Sequence, residues 1–203
     1  MTLGALYTFI KYFGGALMRV FYRIRVVGKE NIPQGGGYIL CCNHTHFMDV
    51  AFLVPAFPKK IRFMAKQELF EKPFGRWFVT HMGGFPVVRG SGGAAAIKKA
   101  EDILRDGEIL GIFPEGTRSK DGRPQKAKSG VAVIASETNA PALPVSIYYE
   151  GKLRLFKRVT VRIGKEIPAE SLKLTDNDRR ELRRISTMIM DKITAQWEEG
   201  HCK

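Results

Sequence analysis

The segment NHTHFMD, residues 43–49, carries two histidines and an aspartate within seven positions, directly after a short apolar run. Two imidazoles separated by one residue can converge on a metal ion from an extended segment. A metal hydrolase needs further ligands, however, and the remaining histidines, His81 and His201, have no carboxylate at a suitable spacing. A metal site is therefore the less favoured interpretation of this segment.

The same segment could also supply a general base and a carboxylate that orients it. If His44 lies in the loop that leaves a strand and Asp49 in the first turn of the next helix, the chain bends between them and their side chains can meet. On one continuous helix they could not, because residues five apart differ by about 140° around the axis. A carboxylate bonded to one ring nitrogen leaves the other free to accept a proton from a hydroxyl. Helix capping by Asp49 is the simpler alternative, so the pair needs support from elsewhere in the chain.

A second group of polar side chains follows another apolar run, in the segment FPEGTRS at residues 113–119. Gly116 lets a ligand approach the backbone closely, and Thr117 with Arg118 offer a hydroxyl and a planar guanidinium that suit phosphate. Glu115 can accept hydrogen bonds from hydroxyls. A surface turn with a solvated arginine is the alternative explanation of this segment.

Another arginine, Arg89, ends the segment GGFPVVR at residues 83–89, where a predicted strand stops. The Ser-Gly-Gly that follows at residues 91–93 precedes a predicted helix, and backbone amides at such a start can receive an anion. The segment is not a nucleotide P-loop, because neither Gly-Lys-Ser nor Gly-Lys-Thr follows it.

The elements that must position these groups follow from an alternation of apolar runs and helical stretches. The runs predicted as strands are residues 38–42, 61–65, 85–88, 109–113, 142–148 and 159–163. Helices are predicted near residues 48–56, 67–82, 93–105, 129–138 and 175–199. This order predicts an α/β fold, a single domain with a largely parallel sheet flanked by helices. Active sites in such sheets gather at the carboxyl ends of the strands, where the polar segments fall.

Residues 1–25 are predicted to form an amphipathic helical segment that precedes the α/β domain of residues 26–203. Its polar face carries Thr8, Lys11, Gly15, Arg19 and Arg23. Residues 1–30 hold five cations, one anion and six aromatic side chains, a composition that suits an anionic membrane surface. The longest nearly uncharged stretch, residues 1–18, is interrupted by Lys11 and falls short of the roughly 20 apolar residues that a spanning helix needs. Packing against the chain's own domain is the alternative.

The composition limits the class of partner. The chain has 203 residues, 44% of them hydrophobic, which allows one sizeable core. A net charge of +13 implies an anionic partner, namely nucleic acid, a membrane surface or a phosphorylated small molecule. The sequence lacks a nucleic-acid reader motif, which disfavours nucleic acid as the partner.

Three cysteines do not make a disulfide framework, so a reducing compartment is expected. Cys42, close to His44, is an alternative nucleophile, although a thiol in a buried strand is inert.

Four segments of the sequence resemble, in order, the motif blocks of the glycerolipid acyltransferases. These are NHTHFMD, GGFPVVR, FPEGTRS and the later ALPV at residues 142–145. The spacings of 45 residues from His44 to Arg89, 26 to Glu115 and 29 to Pro144 are similar to those of the family. The similarity spans about residues 25–165 and is strongest to the 1-acyl-sn-glycerol-3-phosphate (lysophosphatidic acid) acyltransferases.

This resemblance implies a reaction that needs no cofactor or metal. A fatty acyl group would pass from acyl-CoA or acyl carrier protein to the sn-2 hydroxyl of lysophosphatidic acid, giving phosphatidic acid for phospholipid biosynthesis. His44 would be the base and Asp49 its orienting partner. The residues implied in binding the glycerol phosphate are Arg89, Glu115, Gly116, Thr117 and Arg118, with Lys66 as a weaker candidate. The enzyme would work at the cytoplasmic face of a membrane as a peripheral or monotopic protein.

Two points depart from a simple match. His46 stands where many members of the family carry a smaller polar residue, and local packing or hydrogen bonding is its expected role. The acceptor class is also open, because an acyltransferase of the same family could act on another lysolipid or on an acyl amino acid. From a different class, a non-enzymatic module that binds anionic membranes is the remaining alternative.

Overall fold

The computed structural model describes residues 3–35, 37–87, 94–175 and 179–201. Within these residues lies a seven-stranded sheet with the order β1-β7-β6-β2-β5-β3-β4. The strands are β1 (Arg23–Val27), β2 (Ile39–Cys42), β3 (Ile61–Lys66), β4 (Gly84–Val87), β5 (Ile109–Ile112), β6 (Ala142–Tyr148) and β7 (Arg158–Ile163). All neighbours are parallel except β6 and β7, which are antiparallel. The predicted α/β fold with a largely parallel sheet is confirmed.

The antiparallel step between β6 and β7 decides which ends of the strands meet. Strands β2 to β6 all finish at one edge of the sheet, which we call the carboxyl edge. Because β7 and β1 run in the opposite direction, they begin at this same edge. The loop from β6 to β7 and the end of the segment that precedes β1 therefore emerge beside the ends of the parallel strands.

Helices cover both faces of the sheet. They are α1 (Leu3–Phe9), α2 (Gly15–Phe21), α3 (Asp49–Leu53), α4 (Pro73–His81), α5 (Ala94–Arg105), α6 (Gly130–Thr138) and α7 (Arg179–Glu198). A π-helical turn, Ile10–Gly14, joins α1 to α2. A hydrophobic core lies on each face of the sheet, and alternate residues of β2 point into one or the other. Leu40 packs with Phe52 of α3 on one face, and Ile39 packs with Ile189 of α7 on the other.

The strand β1 was not predicted, and it corrects the predicted extent of the N-terminal helix. The helix was expected to run to residue 25, but α2 ends at Phe21 and Arg23–Val27 pairs with β7. Its first four residues alternate between arginine and β-branched side chains, a period-2 pattern that favours a strand. Ile24 fits both the helical stripe and this alternation, which is why the helix was extended too far.

Proline divides one of the other predicted helices. The helix expected at residues 67–82 is a 3-10 turn, Gln67–Phe70, followed by α4, which begins at Pro73. Proline fixes its own backbone and suits the first turn of a helix, so it starts α4 rather than continuing an earlier one. Parts of the predicted elements at residues 88, 93 and 176–178 lie outside the described residues.

The N-terminal helices dock on the domain through Tyr7, Ile10 and Met18 together with two residues of the predicted polar face, Lys11 and Gly15. Lys11 is buried, its Nζ donates to the Pro58 carbonyl oxygen at 2.6 Å, and burial lowers the pKa of the ammonium group. A Cβ added to Gly15 would lie 2.7 Å from Pro55 Cβ, so glycine permits this close approach. Much of the predicted apolar face is exposed, with Phe13 at 60% and Val20 at 67%. None of the helices in the described residues is long and apolar enough to cross a membrane.

Candidate active site

His44 and Asp49 meet across the bend between β2 and α3. The imidazole Nδ1 lies 2.9 Å from Asp49 Oδ2, and the His44 ring stacks on Phe113 with 4.0 Å between ring centroids. Asp49 is fully buried, whereas the His44 side chain keeps 18% of its surface exposed. With the Nδ1 proton donated to the carboxylate, Nε2 is left as an acceptor, the form that a general base requires.

The Asp49 carboxylate also fixes the loop that carries the histidine. Its Oδ2 accepts the backbone N–H groups of Thr45 at 2.7 Å and His46 at 2.8 Å, in addition to the contact with His44. Its Oδ1 makes no hydrogen bond to the described residues. Both amides belong to the loop before α3, and the start of the helix has no side-chain cap, so Asp49 orients the loop and the ring rather than capping the helix.

The segment FPEGTRS holds the backbone of His44 from both sides. The His44 N–H donates to Glu115 Oε1 at 2.8 Å, and the His44 carbonyl oxygen accepts the Ser119 N–H at 2.7 Å. Asn43 completes the support, because its side-chain amide exchanges two hydrogen bonds of 3.0 and 2.8 Å with the backbone of Ile147. The loop is therefore tied to the segment after β5 and to β6.

Glu115 faces this loop from a buried position. Its residue surface is 2% exposed, and its Oε2 makes no hydrogen bond to the described residues. Burial raises the pKa of the carboxyl to about 7, against the lowering effect of the backbone amides of His44 and Gln125. The nearby carboxylates of Asp49 and Asp121 raise it further. The protonation of Glu115 therefore changes near neutral pH.

This raised pKa predicts how stability depends on pH. The Glu115 pKa is about 7 in the fold against an ordinary value of 4.5, so the folded state binds more protons between these values. Stability therefore falls as pH rises through this window, by up to about 3 kcal/mol. Glu115→Gln cannot titrate at this position. The difference in unfolding free energy between wild type and variant should therefore change across this window and level off above pH 7. Urea unfolding between pH 4.5 and 8 measures this difference.

The exposed residue Glu71 provides a matched control for this prediction. Glu71→Gln makes the same change in chemistry at the surface, and we expect its unfolding free energy to follow the wild-type pH dependence. A constant difference in stability between wild type and Glu115→Gln from pH 4.5 to 8 would contradict the assignment.

The other predicted binding residues are placed as follows. Gly116 has a positive φ of 69° and turns the chain after β5, while Thr117 and Arg118 are exposed beside it. Lys66 is the last residue of β3 and is exposed at the carboxyl edge. Arg89 lies outside the described residues. The ALPV block is buried in β6, with Pro144 paired to Cys41 and Val145 to Cys42, and so supports β2.

The second histidine of the motif is engaged locally. His46 Nδ1 accepts the Met48 N–H at 3.2 Å, and its ring packs beside Phe47 with centroids 4.5 Å apart. Burial lowers its pKa, which favours the neutral ring that this acceptor role needs. Among the described residues, no three His, Cys, Asp or Glu side chains are grouped so that they could hold a metal ion.

Some residues that shape the site were not singled out from the sequence. Thr45 Oγ1 and the Tyr149 hydroxyl share a hydrogen bond of 2.6 Å, and burial raises the pKa of Tyr149 to about 12. The two residues are 104 positions apart, so only the pairing of β2 with β6 brings them together. Asn43 could have been identified, because it directly precedes the predicted base in the same motif.

A cavity opens beside this loop. Its volume is about 610 Å³, and it extends from Thr45 and His46 toward the end of α7. The charged and aromatic side chains that line it are Lys120, Asp121, Arg123, Tyr148, Tyr149, Glu150, Lys152 and Trp197. It offers cations and ring faces next to the His44 loop, a combination that suits a phosphate-bearing ligand.

Comparisons with known proteins agree with the motifs. Residues 23–148 match the acyltransferase family. The 1-acyl-sn-glycerol-3-phosphate acyltransferase of Bacillus subtilis (strain 168) is 36% identical over 144 residues, 69% of this chain and 70% of that protein. The enzyme of the same name from Borreliella burgdorferi is 31% identical over 184 residues, covering 87% of this chain and 72% of that one.

A similar solved structure is the crystal structure of the 1-acyl-sn-glycerophosphate (LPA) acyltransferase PlsC from Thermotoga maritima. The two chains are 26% identical and superpose with a TM-score of 0.71. The match covers 99% of this chain and 81% of the other. The likeness therefore extends beyond the motifs to the whole arrangement of sheet and helices.

Proposed function

The chain belongs to the acyltransferase family, and from this premise we propose that it transfers a fatty acyl group from an acyl thioester to the sn-2 hydroxyl of lysophosphatidic acid, yielding phosphatidic acid. The observation that carries the proposal is the His44–Asp49 pair, 2.9 Å apart at the carboxyl edge of the sheet. The names of the relatives from Bacillus subtilis and Borreliella burgdorferi support lysophosphatidic acid as the acceptor.

In the proposed reaction His44 is the general base. Its Nε2 takes the proton of the acceptor hydroxyl while the hydroxyl oxygen attacks the thioester carbonyl, which forms a carbon–oxygen bond and an oxyanion. Collapse of the oxyanion breaks the carbon–sulfur bond, and the thiolate leaves with the proton that His44 had taken. Asp49 stabilises the imidazolium and keeps the ring in the required tautomer. General-base help of this kind contributes about 10² to 10⁴ in rate.

The acceptor phosphate would be held at the exposed part of the same edge. Thr117 and Arg118 offer a hydroxyl and a guanidinium there, and Lys66 and Arg89 are the further proposed partners. Glu115 has a different geometry, because its buried carboxyl accepts the His44 N–H rather than facing solvent. We therefore propose that Glu115 aids acceptor binding indirectly, by positioning the His44 loop.

The acyl donor would reach His44 from the cavity beside Thr45. Acyl-CoA and acyl carrier protein both present the thioester on a phosphopantetheine arm, which brings at least one phosphate. Lys120, Arg123 and Lys152 line the cavity of about 610 Å³, and Trp197 adds a ring face. These side chains support a donor with phosphate groups at this position.

The exposed apolar side chains support a membrane as the second partner. Beside the carboxyl edge, Phe47 is 51% exposed, Phe74 77% and Trp77 53%, and the outer face of α1 and α2 is apolar as well. Exposed apolar surface of this extent, on a chain with a net charge of +13, is typical of attachment to an anionic membrane. We propose peripheral or monotopic attachment at the cytoplasmic face, with the lysophospholipid taken from the bilayer.

Covalent catalysis by Cys42 is disfavoured by the surroundings of the thiol. Cys42 is fully buried in β2, and burial, together with the charges of Asp49 and Glu115, raises the pKa of its thiol well above the ordinary value. A thiol in this state forms little thiolate and is a poor nucleophile. Direct transfer from thioester to acceptor is therefore the better supported route.

Thiol release from an acyl-CoA in the presence of different acceptors tests the proposal. We expect the highest kcat/KM with lysophosphatidic acid, at least about tenfold above lysophospholipids with larger head groups and above acyl ornithine, because the polar groups of the site would match a phosphate monoester. A reaction without acceptor is the control. A higher rate with another acceptor would overturn the assignment of substrate, and vesicle binding without any turnover would favour a binding module.

A further inference from the structure

The loop between β6 and β7 has an apolar tip that faces solvent. Leu155 is 58% exposed and Phe156 64% exposed. Leu153, by contrast, packs against the core and fixes the base of the loop. Cations flank the tip in the sequence KLRLFKR of residues 152–158: Lys152, Arg154, Lys157 and Arg158.

The backbone holds Phe156 in an unusual conformation. Its φ is +63°, in the left-handed region that bulky side chains rarely adopt. The Phe156 N–H donates to the Phe21 carbonyl oxygen at 2.6 Å, at the end of α2, and the Lys157 N–H donates to the Arg154 carbonyl oxygen at 3.3 Å. The strained residue is thus fixed by neighbouring backbone while its ring stays exposed. Strain of this kind is often found at functional positions.

The tip continues the exposed apolar face of α2. The Phe156 to Phe21 hydrogen bond places it at the end of that helix, where Leu17 is 46% exposed and Val20 67% exposed. Because β7 begins at the carboxyl edge, the tip also lies on the same edge as the His44 loop. One surface could therefore bring the helix, the loop and the site toward a bilayer together.

Charge beside the tip favours an anionic surface. Arg154 and Lys157 are the direct neighbours of Leu155 and Phe156 in sequence, and Arg154 is exposed. Residues 152–158 contain no acidic residue. An apolar tip flanked by cations suits an anionic lipid interface, where the apolar side chains reach the acyl boundary and the cations meet the head groups.

We propose that residues 152–158 form a second membrane anchor. Leu155 and Phe156 enter the interface of an anionic bilayer, and Arg154, Lys157 and Arg158 contact phospholipid head groups, while Lys152 lines the cavity. The anchor rests on the proposed function in one respect, which is that the acceptor is taken from a bilayer. Two contacts, α2 and the loop, fix the orientation of the carboxyl edge over the membrane, which a single helix lying on the surface would not.

Vesicle binding by the full chain tests the anchor. The double variant Leu155→Ser/Phe156→Ser is compared with wild type by co-sedimentation with vesicles of equal parts phosphatidylglycerol and phosphatidylcholine. We expect the partition coefficient to fall at least about tenfold, because two apolar side chains no longer enter the interface. With a short-chain lysophosphatidic acid dissolved as monomer, kcat/KM should be unchanged. An inactive wild type would contradict the proposed function and leave the binding comparison valid.

A single substitution distinguishes a role of Phe156 in membrane binding from a role in stabilising the fold. Phe156→Gly removes the ring and places at φ +63° a residue that tolerates it. We expect an equal or higher Tm together with weaker vesicle binding. Phe156→Trp should keep the binding of wild type, since it retains an interfacial aromatic ring. A lowered Tm in Phe156→Gly with unchanged vesicle binding would overturn the proposal.

A charge pair supplies the matched control. Arg154→Glu and Arg183→Glu make the same change in net charge, but Arg183 lies on α7, which covers the other face of the sheet from α1 and α2. We expect Arg154→Glu to weaken binding to phosphatidylglycerol vesicles several-fold more than Arg183→Glu. Equal effects would show a general charge response and contradict the anchor.

A carrier protein is the other partner that such a surface could serve, and the same variants distinguish it. If the double variant bound vesicles like wild type but lost its rate with acyl carrier protein thioesters and not with acyl-CoA, the loop would be a protein-docking surface. That result would overturn the membrane anchor. We expect instead that the rate on the monomeric acceptor is unchanged with either donor.

Discussion

Replacing His44 by alanine is expected to lower acceptor-dependent thiol release by about 10³-fold or more, because the base that takes the hydroxyl proton is lost. The fold should survive the change. The backbone of His44 is held by Glu115 and Ser119 through its own N–H and C=O groups, which the substitution keeps. The expected signature is therefore a fall in kcat with a nearly unchanged KM for lysophosphatidic acid and an unchanged far-UV circular dichroism spectrum.

Cys42→Ser is the matched control for this variant. Cys42 lies two positions before His44 and is fully buried in β2, so its replacement tests the neighbouring nucleophile without touching the base. Most of the activity should remain if transfer is direct. A collapse of Cys42→Ser to the level of His44→Ala would instead indicate an acyl-enzyme and contradict direct transfer.

Asp49→Asn is expected to have the next largest effect, a fall of kcat of about 10²-fold, because the imidazolium that forms on His44 loses its carboxylate counter-charge. His44 Nδ1 and the N–H groups of Thr45 and His46 all contact the same oxygen, Asp49 Oδ2. An amide oxygen at that position can still accept all three hydrogen bonds, so the loop and the ring tautomer should be kept and only the charge removed.

Substitutions at Asp49 should affect stability and kcat to different extents. We expect the Tm of Asp49→Asn to stay close to that of wild type. Asp49→Ala should lower the free energy of unfolding by about 1 to 3 kcal/mol, because the partly buried N–H groups of Thr45 and His46 lose their acceptor. His46→Ala removes a neighbouring ring and should keep kcat within about tenfold of wild type. A wild-type kcat in Asp49→Asn would contradict a role for the carboxylate charge in stabilising the imidazolium.

The strands of the parallel sheet could be predicted because buried strands are continuous apolar runs bounded by turn residues. Prediction fails where one residue pattern is compatible with both a helix and a strand. Ile24 belongs equally to a helical stripe and to the alternation of β1. In the N-terminal helices, periodicity identifies an apolar face but not its partner. The face with Lys11 docks on the domain because the Pro58 carbonyl receives the ammonium and Gly15 allows close packing.

The site was predictable where its residues are close in sequence. His44 and Asp49 needed one bend between a strand and a helix, which the sequence indicates. The direction of Glu115 was not predictable, because its partner is 71 residues away and only the pairing of β2 with β5 brings them together. The contact between Thr45 and Tyr149 depends in the same way on β6. The role of Arg89 stays a prediction, since it lies outside the described residues.

The most direct test of the central claim, that His44 drives acyl transfer to lysophosphatidic acid, follows both products in one reaction. Wild type and His44→Ala are each incubated with acyl-CoA and lysophosphatidic acid, and free thiol and phosphatidic acid are quantified together. We expect wild type to form the two products in equal amounts and only when the acceptor is present, and His44→Ala to form neither above background. Identical thiol release by the two proteins, or thiol release without phosphatidic acid, would contradict the mechanism.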